Sequence, residues 1–292
     1  MRSLQDKLML YERAIELRKQ GMSYSRIGKM LGIGKDTIGS WVRGSPPVRV
    51  WRYVPNLSPS SDLAYLLGFY YGDGRSAGEE PKVRFKLADR RQLEFVNEIV
   101  ARLLGREPIP ISMEDAFYVA DYDSVVLSGY LESPLALQMD CISGYKKEFL
   151  MGLFDAEGYA TCAVNHDRRS VSSFQVGVAN TRTDYICLIK DLLGELGITG
   201  KVRKTNRAGG KMTIRGKTWV RRHDVYHLII STHEQIKRFL RLVGFSNRSK
   251  LEKLGDLVAM IGMPPKQRYP WFRDNYRRNG RKWVRTCDTR IK

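Results

Sequence analysis

From Leu8 to Arg18 apolar side chains recur at helical spacing, with Leu8, Tyr11, Ala14, Ile15 and Leu17 on one side and Gly21 ending the run. Ser23 is placed to cap a second helix whose Ile27, Met30 and Leu31 point inward. Gly32-Ile33-Gly34 then makes a tight turn, and Thr37 to Val42 forms a third helix with Ile38, Trp41 and Val42 inward. Three short helices with a glycine turn between the last two predict a helix-turn-helix over residues 1–46. Its outward face carries Lys35, Asp36, Gly39, Ser40 and Arg43. Residues 47–60, with Pro47, Pro55 and Pro59 among serines, cannot continue a helix and predict a linker.

Beyond the linker the pattern repeats. Leu66-Leu67-Gly68-Phe69-Tyr70-Tyr71-Gly72-Asp73-Gly74 returns as Leu150-Met151-Gly152-Leu153-Phe154-Asp155-Ala156-Glu157-Gly158, an apolar helix ending in acid-Gly each time. In the first copy a strand over 82–88, a helix over 91–104 and a strand over 117–121 follow. In the second copy strands are predicted over 159–164, 172–180, 200–205 and 211–231, the last broken near Arg222, with helices over 183–196, 234–243 and 249–261. The predicted fold is α+β: two pseudo-symmetric αββαββα repeats, 61–143 and 144–262, forming a saddle behind the small all-α module. Gly68 and Gly72, and Gly152 and Ala156, stand at i and i+4, leaving a smooth strip along each helix on which two backbones can approach closely. Asp73 and Glu157 then meet at the C-terminal ends of the paired helices, where two carboxylates and two helix dipoles repel. Protonation or a divalent cation relieves that repulsion, and Mg²⁺ suits oxygen ligands and phosphate chemistry.

The strands carry a second signal. Lys82, Arg84 and Lys86 alternate with Val83, Phe85 and Leu87; Lys201 and Arg203 alternate likewise; Arg215, Lys217, Trp219 and Arg221 alternate with Ile214, Gly216, Thr218 and Val220. A half-buried sheet with a cationic face in each repeat is what a saddle lying in a major groove requires. Charge supports a polyanionic partner: 50 Lys and Arg against 31 Asp and Glu give a net +19 over 292 residues. Residues 1–46 carry 9 basic and 4 acidic groups, 61–143 carry 8 and 14, 144–262 carry 21 and 11, and 263–292 carry 10 and 2. The first repeat is therefore acidic, while the second repeat and both flanks are basic. The tail 263–292 interleaves Tyr269, Trp271, Phe272, Tyr276 and Trp283 with its cations, which fits a nucleic-acid arm whose aromatic groups lie on bases or on the body, and equally a partly disordered extension.

Other classes are excluded. No apolar run reaches the about 18 residues of a membrane-spanning helix, and the N-terminus mixes charge throughout, unlike a secretory signal. Cys141, Cys162, Cys187 and Cys287 form no C-x-x-C and read as reduced thiols; the four histidines show no zinc spacing with them, and no G-x-x-x-x-G-K-[ST] phosphate loop occurs.

The paired acid-Gly helices, 84 residues apart from Asp73 to Glu157, resemble the two motifs of single-chain LAGLIDADG homing endonucleases. The sequence GMSYSRIGKMLGIGKDTIGSWVRG is similar to the helix-turn-helix of resolvases and transposases. These resemblances imply a monomeric, Mg²⁺-dependent endonuclease, with Mn²⁺ as a substitute, that cuts both strands of a specific DNA site. They make Asp73 and Glu157 the metal-binding catalytic acids, since Asp155 matches the motif's earlier aspartate but Tyr71 replaces its counterpart. They add Lys250, before the last helix, and more loosely Lys86 as groups that orient water. DNA contacts are expected from Lys35, Ser40, Arg43, Lys82, Arg84, Lys86, Lys201, Arg203, Arg215, Lys217 and Arg221. Lacking the terminal nucleophile and His-Asn pair of an intein, the chain reads as a freestanding protein of the cytoplasm and nucleoid, with encoding within an intron and an organellar origin both left open. A non-cutting transcription regulator on the same fold and an RNA maturase assisting intron splicing stay open as alternatives.

Overall fold

A computed structural model of the chain describes residues 4–44, 55–77, 80–214, 217–279 and 282–286. At the N-terminus, α1 (Leu4–Lys19), α2 (Tyr24–Leu31) and α3 (Lys35–Val42) enclose Ala14, Leu17, Ile27, Ile38 and Trp41. Ser23 caps α2 by accepting from the Arg26 amide, and Gly32 takes the left-handed conformation (φ 63°) that ends it. Two residues differ from expectation. Met30 is 58% exposed rather than inward. At Gly28 a Cβ would lie 2.5 Å from the Ile33 carbonyl, so the turn closes over Gly28 and rotates the inward face of α2 away from Met30. Gly39 is buried, not outward, because α3 packs there beside the Tyr24 ring.

The predicted linker ends earlier than residue 60: Pro55 is buried and the Asn56 amide donates to the Leu103 carbonyl at 2.7 Å. From there α4 (Ser61–Asp73), capped by Ser60, runs through the centre of the core. It passes directly into β1 (Gly74–Ala77), followed by β2 (Glu80–Leu87), α5 (Arg90–Leu103), β3 (Ser112–Glu114) and β4 (Phe117–Asp123). Where the αββαββα pattern expected one closing helix, two, α6 (Val125–Leu131) and α7 (Met139–Gly144), close this unit. The second unit starts with α8 (Lys146–Glu157) and continues through β5 (Gly158–Asn165), β6 (Ser170–Asn180), α9 (Thr183–Glu195) and β7 (Lys201–Asn206). A hairpin of β8 (Lys211–Ile214) and β9 (Lys217–Val220) intervenes before β10 (Val225–Ile230), α10 (His233–Leu242) and α11 (Arg248–Gly262).

Both units build an antiparallel four-stranded sheet of the same topology, β1-β2-β4-β3 and β5-β6-β10-β7. Equivalent strands occupy equivalent places, so the repeat read in the sequence is a repeat of architecture. Alternation decides each sheet's faces: Val83, Phe85, Ala120 and Tyr122 are buried, while Lys86, Asp121 and Asp123 are exposed.

The hairpin corrects the expected continuous strand from Ile214 to Arg221. β8 and β9 pair with one another, Ile214 opposite Lys217, so the alternating run folds back on itself instead of joining the sheet. Arg215 lies outside the described residues.

The aromatic tail also departs from the arm reading in its described part. Helix α12 (Pro265–Asn275) leads into β11 (Tyr276–Asn279) and β12 (Lys282–Arg285), which pair as a hairpin. Phe272 and Tyr276 are buried and stack at 4.8 Å. The Tyr276 hydroxyl donates to Asp256 Oδ2 at 2.6 Å, and Arg285 lies 2.8 Å from the same oxygen. Of the two placements expected for the aromatic groups, these take the body.

Candidate active site at the paired helix ends

The glycine strips bring α4 and α8 together. A Cβ on Gly68 would stand 1.9 Å from the Phe149 carbonyl oxygen, and a Cβ on Gly152 would stand 2.1 Å from the Tyr65 carbonyl oxygen. These are the same contact seen from each repeat, since Tyr65 and Phe149 are equivalent positions. One turn later a Cβ on Gly72 would meet the Ala156 Cβ at 2.4 Å and Glu157 Cγ at 2.9 Å. Only hydrogen on these α-carbons permits the approach, and it continues to the helix ends that bear Asp73 and Glu157.

Both acids present their carboxylates to solvent, as a site that admits a large substrate requires. Partial desolvation by the surrounding helix ends still raises the Glu157 pKa, the Asp73 charge raises it further, and Lys250 opposes both. Among the described residues no group of three or more His, Cys, Asp or Glu is placed to hold a metal ion. Two mutually repelling carboxylates with an open side nevertheless fit Mg²⁺, which takes one or two protein carboxylates and completes its shell with water and phosphate oxygens. Asp73 and Glu157 are the residues that would hold it.

Lys250 lies against the end of α8. Its Nζ donates to the carbonyls of Phe154 (3.1 Å), Asp155 (2.6 Å) and Ala156 (3.1 Å). All three protons of an ammonium are thereby directed at the C-terminal end of α8, where orphan carbonyls and the helix dipole attract a cation. Burial lowers its pKa, while Asp155, Asp73 and Glu157 hold it up. In this arrangement Lys250 holds the helix end carrying Glu157. Lys250→Met removes the ammonium from these carbonyls, of which Phe154's keeps the Gly158 amide, and should lower the unfolding free energy by about 1–3 kcal/mol, read from the urea midpoint.

Asp155 is buried in a polar network that joins the units. Its Oδ2 accepts from the Tyr65 hydroxyl at 2.7 Å and the Ser246 amide at 3.1 Å, and also from the Ser246 hydroxyl; its Oδ1 accepts from the Asn247 amide at 3.0 Å. Asn247 caps α11 through the Lys250 amide and reaches Asp89, the cap of α5. Sequence reading left Asp155 without a role, and no local signal marks its partners, which come from two distant segments, at Tyr65 and at Ser246 and Asn247. At the equivalent place in the first unit Tyr71 donates to Gln138, the residue before α7. Burial pushes the Tyr71 hydroxyl up to about 12.

The remaining candidates scatter. Lys86 pairs with Glu114 at 3.2 Å and Asp115 at 3.9 Å, on the side of the sheet where β3 and β4 turn. Lys82 lies 3.9 Å from Asp123, and Arg84 pairs with Glu114 and, at 3.5 Å, with Asp121. The expected all-cationic face of the first sheet is therefore a mixed one: register places Asp123 and Asp121 opposite Lys82 and Arg84. Lys201 and Arg203 on β7 are exposed and form no ion pair among the described residues. Lys217 begins β9 and Arg221 follows it, both off the main sheet; the Arg221 backbone instead pairs with Gly209 and Gly210. Lys35 and Arg43 are exposed on α3, with Ser40 half-buried between them.

Comparison with known proteins finds several likenesses. Residues 144–244, within the second unit, match the family described as LAGLIDADG-like domain. Uncharacterized protein MJ0398 of Methanocaldococcus jannaschii is 27% identical over 260 residues, which is 84% of this chain and 91% of that protein. Replication factor C small subunit of Thermococcus kodakarensis is 26% identical over 227 residues, 74% of this chain but 23% of that protein. Among solved structures, the homing endonuclease I-DmoI bound to DNA and Mn has 19% identity and a TM-score of 0.44 over 64% of this chain and 97% of its own. Full-length DUF199/WhiA from Thermatoga maritima has 17% identity and a TM-score of 0.44 over 72% of this chain and 64% of its own.

Proposed function

We propose that the protein is a divalent-metal-dependent endonuclease that cuts both strands of a specific DNA duplex. The observation that carries this reading is the meeting of Asp73 and Glu157 where α4 and α8 touch through glycine, with a raised Glu157 pKa between one carboxylate and one lysine. A purely structural helix pair gains nothing from two like charges at its tip, and a bound cation relieves their repulsion. A bound Mg²⁺ would supply a lowered pKa for attacking water and charge neutralisation at the scissile phosphate. The chain's own contributions are then distinct. Asp73 and Glu157, one from each unit, present carboxylate oxygens to the two strands across the pseudo-twofold axis. Lys250 and the Asp155 network fix the end of α8, and the exposed sheet faces receive the duplex.

The α1–α3 module adds affinity in this reading, as a helix-turn-helix whose α3 offers Lys35, Ser40 and Arg43 to a major groove. Removing residues 1–46 should weaken DNA binding about tenfold or more while cleavage at saturating enzyme persists, because the paired acids lie wholly in the body. Cleavage rate against enzyme concentration measures it, and loss of turnover at saturation would assign the module to the active site instead.

The deciding experiment is incubation of the full chain with duplex DNA spanning the insertion site of its own gene, with and without Mg²⁺. Linear product only with metal is expected. Tight, specific binding without cleavage in Mg²⁺ or Mn²⁺ would replace this reading with the non-cutting regulator, and preference for intron RNA over duplex DNA with the maturase.

A further inference from the structure

The two sheets differ in a way that bears on what each reads. Resting on the reading that the chain docks on duplex DNA through its sheet faces, we infer that the first sheet is a G·C-reading surface on which Glu114, Asp121 and Asp123 act as specificity-determining carboxylates, whereas the second sheet supplies phosphate affinity.

On the first sheet every candidate cation of β2 has a carboxylate within 4 Å: Lys82 has Asp123, Arg84 has Asp121 and Glu114, and Lys86 has Glu114 and Asp115. These pairs follow from register, since Lys82 and Arg84 stand opposite Asp123 and Asp121, and Glu114 stands across β4 opposite Phe117. Such a face gathers few phosphates, because the counterion-release gain depends on net cation contacts that its carboxylates cancel. The second sheet follows this pattern at Lys204, 2.6 Å from Asp224, but not at Lys201 and Arg203. There Lys201 and Arg203 register with Ile229 and His227 of β10, and His227 registers in turn with Ala179 of β6. No carboxylate stands opposite either cation.

A carboxylate facing a major groove must find a donor or be repelled. In a G·C pair guanine offers two acceptors, O6 and N7, to an Arg or Lys, while cytosine offers its N4 amino group to an Asp or Glu. A cation and a carboxylate side by side match both halves of that one pair. An A·T pair is instead read by an amide that donates and accepts at once, and β2 and β4 contain no Asn or Gln. The protein's own ion pairs pose little obstacle. Exposed pairs of this kind contribute little to stability, so they open readily when base edges take their place.

The test is selection of bound duplexes from a pool of randomised 40-bp DNA, with salt-dependent binding to one random-sequence duplex as the second measurement. Wild type is expected to enrich consecutive G·C pairs in one half of its site. The triple change Glu114→Gln, Asp121→Asn, Asp123→Asn should erase that enrichment and leave the other half intact. It should also steepen the slope of log affinity against log salt by about 2, as freed cations turn to phosphates. Arg84→Gln, a surface change independent of the triple variant's folding, should convert one enriched G·C pair to A·T. Unchanged base preferences in both variants, or an A·T-rich half-site in wild type, would overturn the inference while leaving DNA docking in place. A wild-type chain that binds no duplex at all would overturn both.

Discussion

Asp73→Asn and Glu157→Gln are each expected to abolish double-strand cleavage, by at least about a thousandfold or roughly 4 kcal/mol in the barrier, while site affinity stays within about tenfold. Each change keeps size and shape but removes a negative oxygen from the pair that would hold the metal, and neither touches the sheet faces. Glu157→Gln has a second expected signature. Because its folded-state pKa is raised, first by desolvation and then by Asp73, protonation of Glu157 favours the folded state. Its contribution to stability therefore falls as pH rises from the ordinary carboxylate value through the raised one. Removing the charge should leave the melting temperature at neutral pH unchanged or higher in metal-free buffer, even as activity is lost. A group kept only for folding would do the reverse. Cleavage assays with both variants, alongside thermal unfolding at pH 4 and pH 7, separate these outcomes; normal cutting of both strands by either variant would remove Asp73 and Glu157 from the active site.

Local signals carried most of the architecture. The acid-Gly repeat placed α4 and α8, because a glycine strip and an apolar helix are written in consecutive residues. The strand alternation of 82–88 and the helix of 91–104 emerged within two residues of β2 and α5. What failed was non-local. The cations of β2 were legible but the carboxylates neutralising them were not, since register between strands 30 residues apart decides which charges meet. A sign was nonetheless present: Asp121 and Asp123 flank the apolar Tyr122 in the period of a half-buried strand, and 61–143 is acidic overall. Lys250 was identified by position, yet its three bonds to the end of α8 depend on how α11 is anchored by Asn247 and Asp155. The run from Ile214 to Arg221 alternates as well as any strand. Gly216 alone hinted that it contains a turn, and a strand-interior glycine is ambiguous between a bulge, a close approach and a bend.

Gly68→Ala and Gly152→Ala should be severely damaging single-methyl changes. At Gly68 the added carbon would lie 1.9 Å from the Phe149 oxygen and 2.9 Å from the Leu153 nitrogen; at Gly152 it would lie 2.1 Å from the Tyr65 oxygen. The opposing atoms are backbone, so no rotamer change relieves the clash, and reaching ordinary contact requires α4 and α8 to separate by more than an ångström. Overpacking of this kind costs about 3 kcal/mol or more, a fall of roughly 6–12 °C in Tm for a domain of this size. The same separation displaces Asp73 from Glu157, and misplacement on the scale of an ångström costs on the order of a hundredfold in rate. Gly255→Ala is the control: it also lies inside a helix, α11, but nothing stands within 4 Å of its Cβ. That change should be neutral or stabilise by about 0.5–1 kcal/mol, because alanine replaces the most flexible residue in a helix interior. Thermal unfolding and cleavage assays of the three variants decide the matter. If Gly68→Ala and Gly152→Ala melt and cut like Gly255→Ala, the helices do not touch through these glycines, and the convergence of Asp73 and Glu157 at their ends must be given up with that contact.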